Sequence, residues 1–147
     1  MKVEVTVDTS RLDRKLADLP ACLARAQKRA LQAIGQAVAS RATMAFRTTG
    51  LRPSPWAPRK PSKVDDGHPL LIRSGNLIHS IGWELDGNDA VTIGSSHAYS
   101  LCHQFGTRKM PARPFFPIDK NGELLPEMRR KIVGKVKKAL REELEKL

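Results

Sequence analysis

Cysteine is scarce. Only Cys22 and Cys102 occur in 147 residues. A secreted disulfide scaffold would carry more, so two free thiols in a reducing cytoplasm are the expected state. No apolar run approaches the ~20 residues that span a bilayer. The start, Met1-Lys2-Val3-Glu4, is not followed by the apolar stretch of a secretion signal, so no membrane partner is expected. Aromatics are few (two Trp, one Tyr, four Phe), so the core must be mainly aliphatic.

The residue patterns of common catalysts are also missing. There is no glycine-rich phosphate loop; Gly82, Gly87 and Gly94 fall in strands and a turn. The histidines, His68, His79, His97 and His103, show no His-x-x-x-His spacing, and Cys-x-x-Cys is absent too. Cys102 and His103 adjoin, but neighbours in an extended chain face opposite ways. Ser74-Gly75 lacks the Gly-x-Ser-x-Gly frame of a nucleophile elbow. Carboxylates are outnumbered, 15 against 26 Lys and Arg, and most lie in turns or on the last helix. No enzyme, metal site or cofactor is expected.

Positive charge is abundant. A net +11 predicts attraction to polyanions. It is spread in four blocks, Arg25 to Arg47, Arg52 to Arg73, Arg108 to Arg113 and Arg129 to Arg141, rather than gathered in one arm. A chain of this length is expected to form one domain, residues 1–147, with a single core.

Periodicity places the elements. Val3, Val5 and Val7 alternate with Lys2, Glu4 and Thr6, which predicts a short strand ending near Asp8. Asp8-Thr9-Ser10 offers cap chemistry for a helical stretch from Ser10 to about Thr48. Pro20 should break or kink it, or open a second helix. Beyond Pro20 an alanine-rich stripe, Leu23, Ala26, Ala30, Leu31, Ile34, Val38, Ala42 and Ala45, makes a slim helix that another element can approach closely.

Residues 49–69 hold Pro53, Pro55, Pro58, Pro61 and Pro69, which predicts an irregular loop. Its lone Trp56 must be pinned to a partner surface or fold back onto the chain's own core. Ser74 then caps a short turn of helix with Leu77, Ile78 and Ile81 on its apolar face. Ile81, Trp83 and Leu85, then Val91 and Ile93, alternate as two strands about the turn Asp86-Gly87-Asn88-Asp89. Ala98 to Phe105 reads as a short helix ending at Gly106, and residues 107–117 as an extended, basic arm. Leu125, Met128, Ile132, Val136, Leu140, Leu144 and Leu147 step by three or four, giving an amphipathic helix over 124–147. Its basic residues come early and its acids late, against the helix dipole. The fold class is α+β: a small antiparallel sheet packed by a long N-terminal and a C-terminal helix, with extended loops.

Residues 99–117, YSLCHQFGTRKMPARPFFP, fit neither a helix nor a strand, yet hold Tyr99, Phe105, Phe115 and Phe116 with three prolines. Proline-stiffened segments lose little entropy on docking, and aromatics and arginine are enriched at interface hot spots. Trp56, Phe105, Arg108, Lys109, Arg113, Pro114, Phe115 and Phe116 are therefore the candidate assembly residues. The alternative is a basic nucleic-acid-binding module using Arg59, Lys60, Lys63, Arg108, Lys109 and Arg113, with Trp56 and Phe105 available for stacking. No zinc finger or RNA-recognition signature supports that alternative.

Five motifs occur in order. They are Trp56 with Pro58; Leu70-x-x-x-Ser74-Gly75-x-Leu77-x-x-Ser80-Ile81; Val91-x-Ile93-Gly94; Tyr99-x-x-x-His103-Gln104-Phe105-Gly106; and Pro111-Ala112-Arg113-Pro114-Phe115. The set resembles the phage virion morphogenesis family, the tail completion or tail terminator proteins, close to the Mu-like branch. Ser100-Leu101-Cys102 and Phe116-Pro117 depart from the common pattern of that family. The resemblance implies a structural protein of the virion tail, present in the host cytoplasm before assembly. It would act at the head-tail joining end, as a homo-oligomeric ring, possibly a hexamer. Its partners would be copies of itself, tail tube and head-tail connector proteins, with non-specific contact to DNA in the channel. Ser74, Gly75, Leu77, Tyr99, His103, Gln104 and Gly106 would be its structural motif. In a heterologous ring the arm and the 49–69 loop would reach out, and the sheet edge and alanine helix would receive them.

Overall fold

The computed structural model describes residues 6, 8–61 and 67–147. The inward residues of the expected first strand, Val3, Val5 and Val7, lie outside them. The chain is α+β, in the order α1 (Ser10–Ala45), a 3-10 turn (Thr49–Leu51), α2 (Asn76–His79), β1 (Ile81–Asp86), β2 (Ala90–Ser95), α3 (Ser100–Phe105) and α4 (Pro126–Leu144).

The start of α1 uses the cap residues differently from expectation. Asp8 Oδ1 accepts the Ser10 N–H at 2.9 Å, and the Thr9 hydroxyl donates to Asp13 at 3.0 Å. Pro20 neither ends α1 nor opens a new helix, which corrects the expected break. A proline removes the N–H that would have bonded the carbonyl four residues back, that of Leu16. Leu16 is 55% exposed, so solvent can serve that carbonyl instead.

The buried face of α1 is made of Cys22, Ala26, Ala30, Gly35, Val38, Ala39, Ala42 and Ala45. None is bulky, and two elements use the room. The first is the β1–β2 hairpin, in antiparallel register with Trp83 opposite Ile93 and Leu85 opposite Val91. Gly87 takes φ +66° at its turn. Ile81, Trp83 and Leu85 face inward. Trp83 lies directly over Gly35: a Cβ there would come within 2.6 Å of the indole Cδ2. The indole N–H donates to Gln36 Oε1 at 3.3 Å.

The second element is α4, antiparallel to α1. It begins at Pro126, two residues later than expected, because a proline suits the first helical turn, where no N–H partner is needed. Arg25 and Arg29 of α1 donate to the buried Glu143 at 3.1 and 2.6 Å, and Arg29 also reaches Glu142 at 2.9 Å. At the other end Arg41 pairs with Glu127. This supplies the reason for acids placed against the dipole of α4: they are located to meet the cations of α1. Lys146, Arg29 and Arg25, in that order of effect, hold the Glu143 carboxyl down at about 2.

Past Ala45 the core continues in a cluster of Ala42, Ala45, Phe46, Trp56, Leu77, Ile78 and Phe115, with Leu70, Ile72, Ile81 and Phe116 around it.

Two outcomes are expected. Gly35→Ala should destabilise the protein in chemical denaturation, because overpacking costs about 1–3 kcal/mol against the ~1 kcal/mol a helix gains from alanine. Gly134→Ala in α4, where a Cβ meets nothing within 4 Å, should instead stabilise it by up to about 1 kcal/mol. The second outcome concerns pH. Glu143 lies below its ordinary 4.5 in the folded protein, so its contribution is complete above that value and lost as pH falls toward about 2. Acid titration followed by circular dichroism should show Glu143→Gln missing that part of the pH dependence.

Candidate assembly site

The arm has no sheet to join, so its backbone groups need other partners. Gln104, on the buried side of α3, provides them. Its Oε1 accepts the N–H of Phe115 and that of Phe116, each at 3.0 Å, and its Nε2 donates to the Phe116 carbonyl at 3.4 Å. One step back, the Arg113 N–H donates to the His103 carbonyl at 2.7 Å. The chain makes this return through Gly106, at φ +75°, where a Cβ would sit 2.8 Å from the Ala112 nitrogen. Thr107 and Met110 exchange backbone hydrogen bonds at 2.8 and 3.3 Å, closing the tip that carries Arg108 and Lys109.

Held this way, Phe115 enters the core at 1% exposure. Its ring centroid lies 5.0 Å from that of Phe46, and Phe46 meets Trp56 edge-on at 5.8 Å. The Trp56 indole N–H donates to the Pro114 carbonyl at 2.8 Å, and Arg52 covers the ring face at 3.9 Å. Arg113 donates through Nε to the Ala57 carbonyl at 2.9 Å and through a terminal nitrogen to the Pro58 carbonyl at 3.1 Å. Loop and arm are therefore stapled to each other.

These contacts correct the expectation that Trp56, Arg113 and Phe115 await a second polypeptide. All three are satisfied by their own chain. Pro114 and Phe116 are half-buried in the same junction. The alanine face of α1 is likewise taken by the hairpin and α4. The loop-based nucleic-acid reading keeps Lys60, Phe105, Arg108 and Lys109 at the surface, but several of its other residues are engaged. Trp56 is buried under Arg52, Arg113 is committed to loop carbonyls, Arg59 donates to the His68 carbonyl at 2.8 Å, and Lys63 lies outside the described residues.

The motif residues converge near the start of α2 and on α3. Gly75 takes φ +80° before α2, and Ser74 accepts the Asn76 N–H at 3.3 Å, an Ser-turn contact rather than a formal cap. Leu77 is buried. Tyr99 stacks on His97 at 4.9 Å and meets His103 edge-on at 5.8 Å. Burial and the nearby Arg113 charge push the His103 pKa down, which keeps the ring neutral near pH 7. Among the described residues no three His, Cys, Asp or Glu side chains converge as metal ligands. Phe46 and Arg52 were missed by sequence reasoning; Phe46 stands four residues past Ala42, one step beyond the stripe.

Among the large apolar side chains that the fold leaves exposed, two lie on the outer face of α3. Leu101 is 66% exposed and Phe105 47%. Phe105 forms a ridge between two grooves. One, of about 450 Å³, runs past Ile93, Ser95, Leu101, Phe116 and Ile118 beside the end of β2. The other, of about 420 Å³, is lined by Pro53, Ala112, Pro114, Ile118 and Leu125. Arg108 and Lys109 are exposed at the nearby tip.

The phage virion morphogenesis family model matches residues 7–143. No curated protein matches the chain, and no solved structure does.

If Phe115 is an internal anchor, Phe115→Ala should cost about 3–5 kcal/mol of folding stability. Arg108→Ala, at the exposed tip, should stay within about 0.5 kcal/mol of wild type. Urea denaturation of both variants checks this pair.

Proposed function

The chain belongs to the phage virion morphogenesis family and so has a structural role in building a phage particle, and from that membership we propose that it is a tail completion protein, of the tail terminator kind, which assembles with copies of itself at the head-tail joining end. The motif spacing favours the Mu-like branch of that family.

The observation that carries this reading is the α3 ridge. Leu101 and Phe105 are large apolar side chains that the chain leaves uncovered, between grooves that a neighbour's side chains can fill. The ridge is one kind of surface and the grooves another. That difference suits the heterologous contact of a closed ring, in which one face of a subunit meets a different face of the next. Arg108 and Lys109 supply a polar rim, where charge sets orientation more than affinity. The arm contributes indirectly. By docking on its own body it fixes Gly106 and the tip, and so presents α3 as a rigid surface with little entropy left to lose. The chain's own residues 1–147 are read as a single folding unit serving this contact.

The test is the mass of the purified protein across a concentration series, by light scattering, alone and with its tail tube protein. Wild type should self-associate. Leu101→Ser/Phe105→Ser, both solvent-facing, should keep the fold and weaken association at least about tenfold, as loss of hot-spot residues does. An unchanged mass in the double variant would remove the ridge as the contact.

A further inference from the structure

Beside the α3 ridge, a second feature is left unexplained by assembly: a basic groove between α1 and α4. It measures about 550 Å³ and is lined by Gln36, Ser40, Arg41 and Met44 of α1 and by Lys131 and Lys135 of α4. No carboxylate lines it. Lys131 and Lys135, one helical turn apart, make no ion pair among the described residues, whereas Arg129 and Lys138 pair with Glu123 and Glu142.

Arg41 is the unusual member. Its side chain is only 15% exposed, and one terminal nitrogen pairs with Glu127. Its Nε is buried and has no hydrogen-bond partner. A buried guanidinium N–H without an acceptor is costly, and such a group calls for an acceptor, an ordered water or an anion. The acceptor that matches is an oxyanion, since arginine presents planar, always-charged donors that suit phosphate and carboxylate oxygens.

The surroundings choose between those two. From Met128 to Arg141, α4 carries seven cations (Arg129, Arg130, Lys131, Lys135, Lys137, Lys138 and Arg141) and no acid. Lys131, Lys135 and Lys138 share one helix face over roughly 10 Å. A row of cations of that length rewards a ligand whose charges repeat, and a nucleic-acid strand carries one phosphate per ~3.4 Å of axis. An isolated carboxylate on a protein surface would use one cation and leave the rest.

We propose that the α1–α4 groove, through Arg41, Lys131 and Lys135, is a binding site for the phosphate backbone of nucleic acid, read without regard to sequence. It is separate from the α3 ridge, so its failure and the failure of the assembly reading are distinguishable. Gln36 and Ser40 add neutral hydrogen-bonding groups at the groove wall, and Met44, 49% exposed, gives it an apolar lip.

The experiment titrates the full-length protein against a fluorescently labelled DNA duplex of arbitrary sequence at several salt concentrations. The variants are Lys131→Ala/Lys135→Ala and, as a charge-matched control, Arg14→Ala/Lys15→Ala, more than about 30 Å away along α1. All four positions are exposed, and circular dichroism verifies the folds. The groove variant should lose tens of fold in affinity near 0.1 M salt. The slope of log K against log salt should flatten by about 1.8, two phosphate contacts' worth. The control should keep the wild-type slope. Equal losses in both variants, or none in the groove variant, would overturn the site. Polyglutamate of matched charge binding as tightly as DNA would also overturn it, because the occupant would then be an acidic protein.

Discussion

The amide oxygen of one residue, Gln104, accepts two consecutive backbone N–H groups, those of Phe115 and Phe116. An arm containing three prolines cannot join a ladder, and buried donors left unpaired would cost about 1–3 kcal/mol each. With Gln104 in place, Phe115 can be driven into the core against Phe46, and everything attached to the arm follows. Pro114 presents its carbonyl to Trp56, Arg113 reaches the carbonyls of Ala57 and Pro58, and two irregular segments become one solid corner. The exposed side of the same helix, with Leu101 and Phe105, is rigid because its inner side is so occupied.

Local pattern was legible in the sequence and distant pairing was not. The three-and-four step of Leu125, Met128, Ile132, Val136 and Leu140 places α4, and alternation about Gly87 places the hairpin. Each of these signals is complete within a dozen residues. The destination of Trp56 depends on Pro114, 58 positions away, and that of Glu143 on Arg25, 118 positions away. Nothing in either neighbourhood announces the partner. Stiff, aromatic chain looks the same whether it will dock on a neighbour or on itself, so the sequence of the arm suggests a reaching element where the structure has an internal brace. Pro20 misled for the opposite reason. The rule against mid-helix proline is local, but it weakens where the turn is solvated. Of the candidate residues, Phe105, Arg108 and Lys109 remain on the surface, while Trp56 and Phe115 are buried and the half-buried Arg113 is bonded to its own chain.

The charges follow a similar division of labour. Acids stand at both ends of α4, where Glu127 meets Arg41 and Glu142 and Glu143 meet Arg29 and Arg25. These pairs fix the antiparallel register of the two long helices. Between them every charged residue of the helix is a cation; Arg129 and Lys138 find acids, whereas Lys131 and Lys135 make no ion pair among the described residues. α1 carries seven cations against two acids and α4 seven against three, so the two long helices together hold most of the net charge.

The slim face of α1 is closed by α4, and these two elements stand at opposite ends of the chain. On a ribosome adding about 5–20 residues per second, α1 is finished roughly 4–16 s before the first turn of α4 exists. During that interval the face carrying Ala26, Ala30 and Val38 lacks its α4 cover. Cys22, wholly buried in the folded chain, stays open to chemistry until α4 has been made. Its protection thus follows the synthesis of α4, and a thiol reagent supplied to nascent chains would date the docking of that helix.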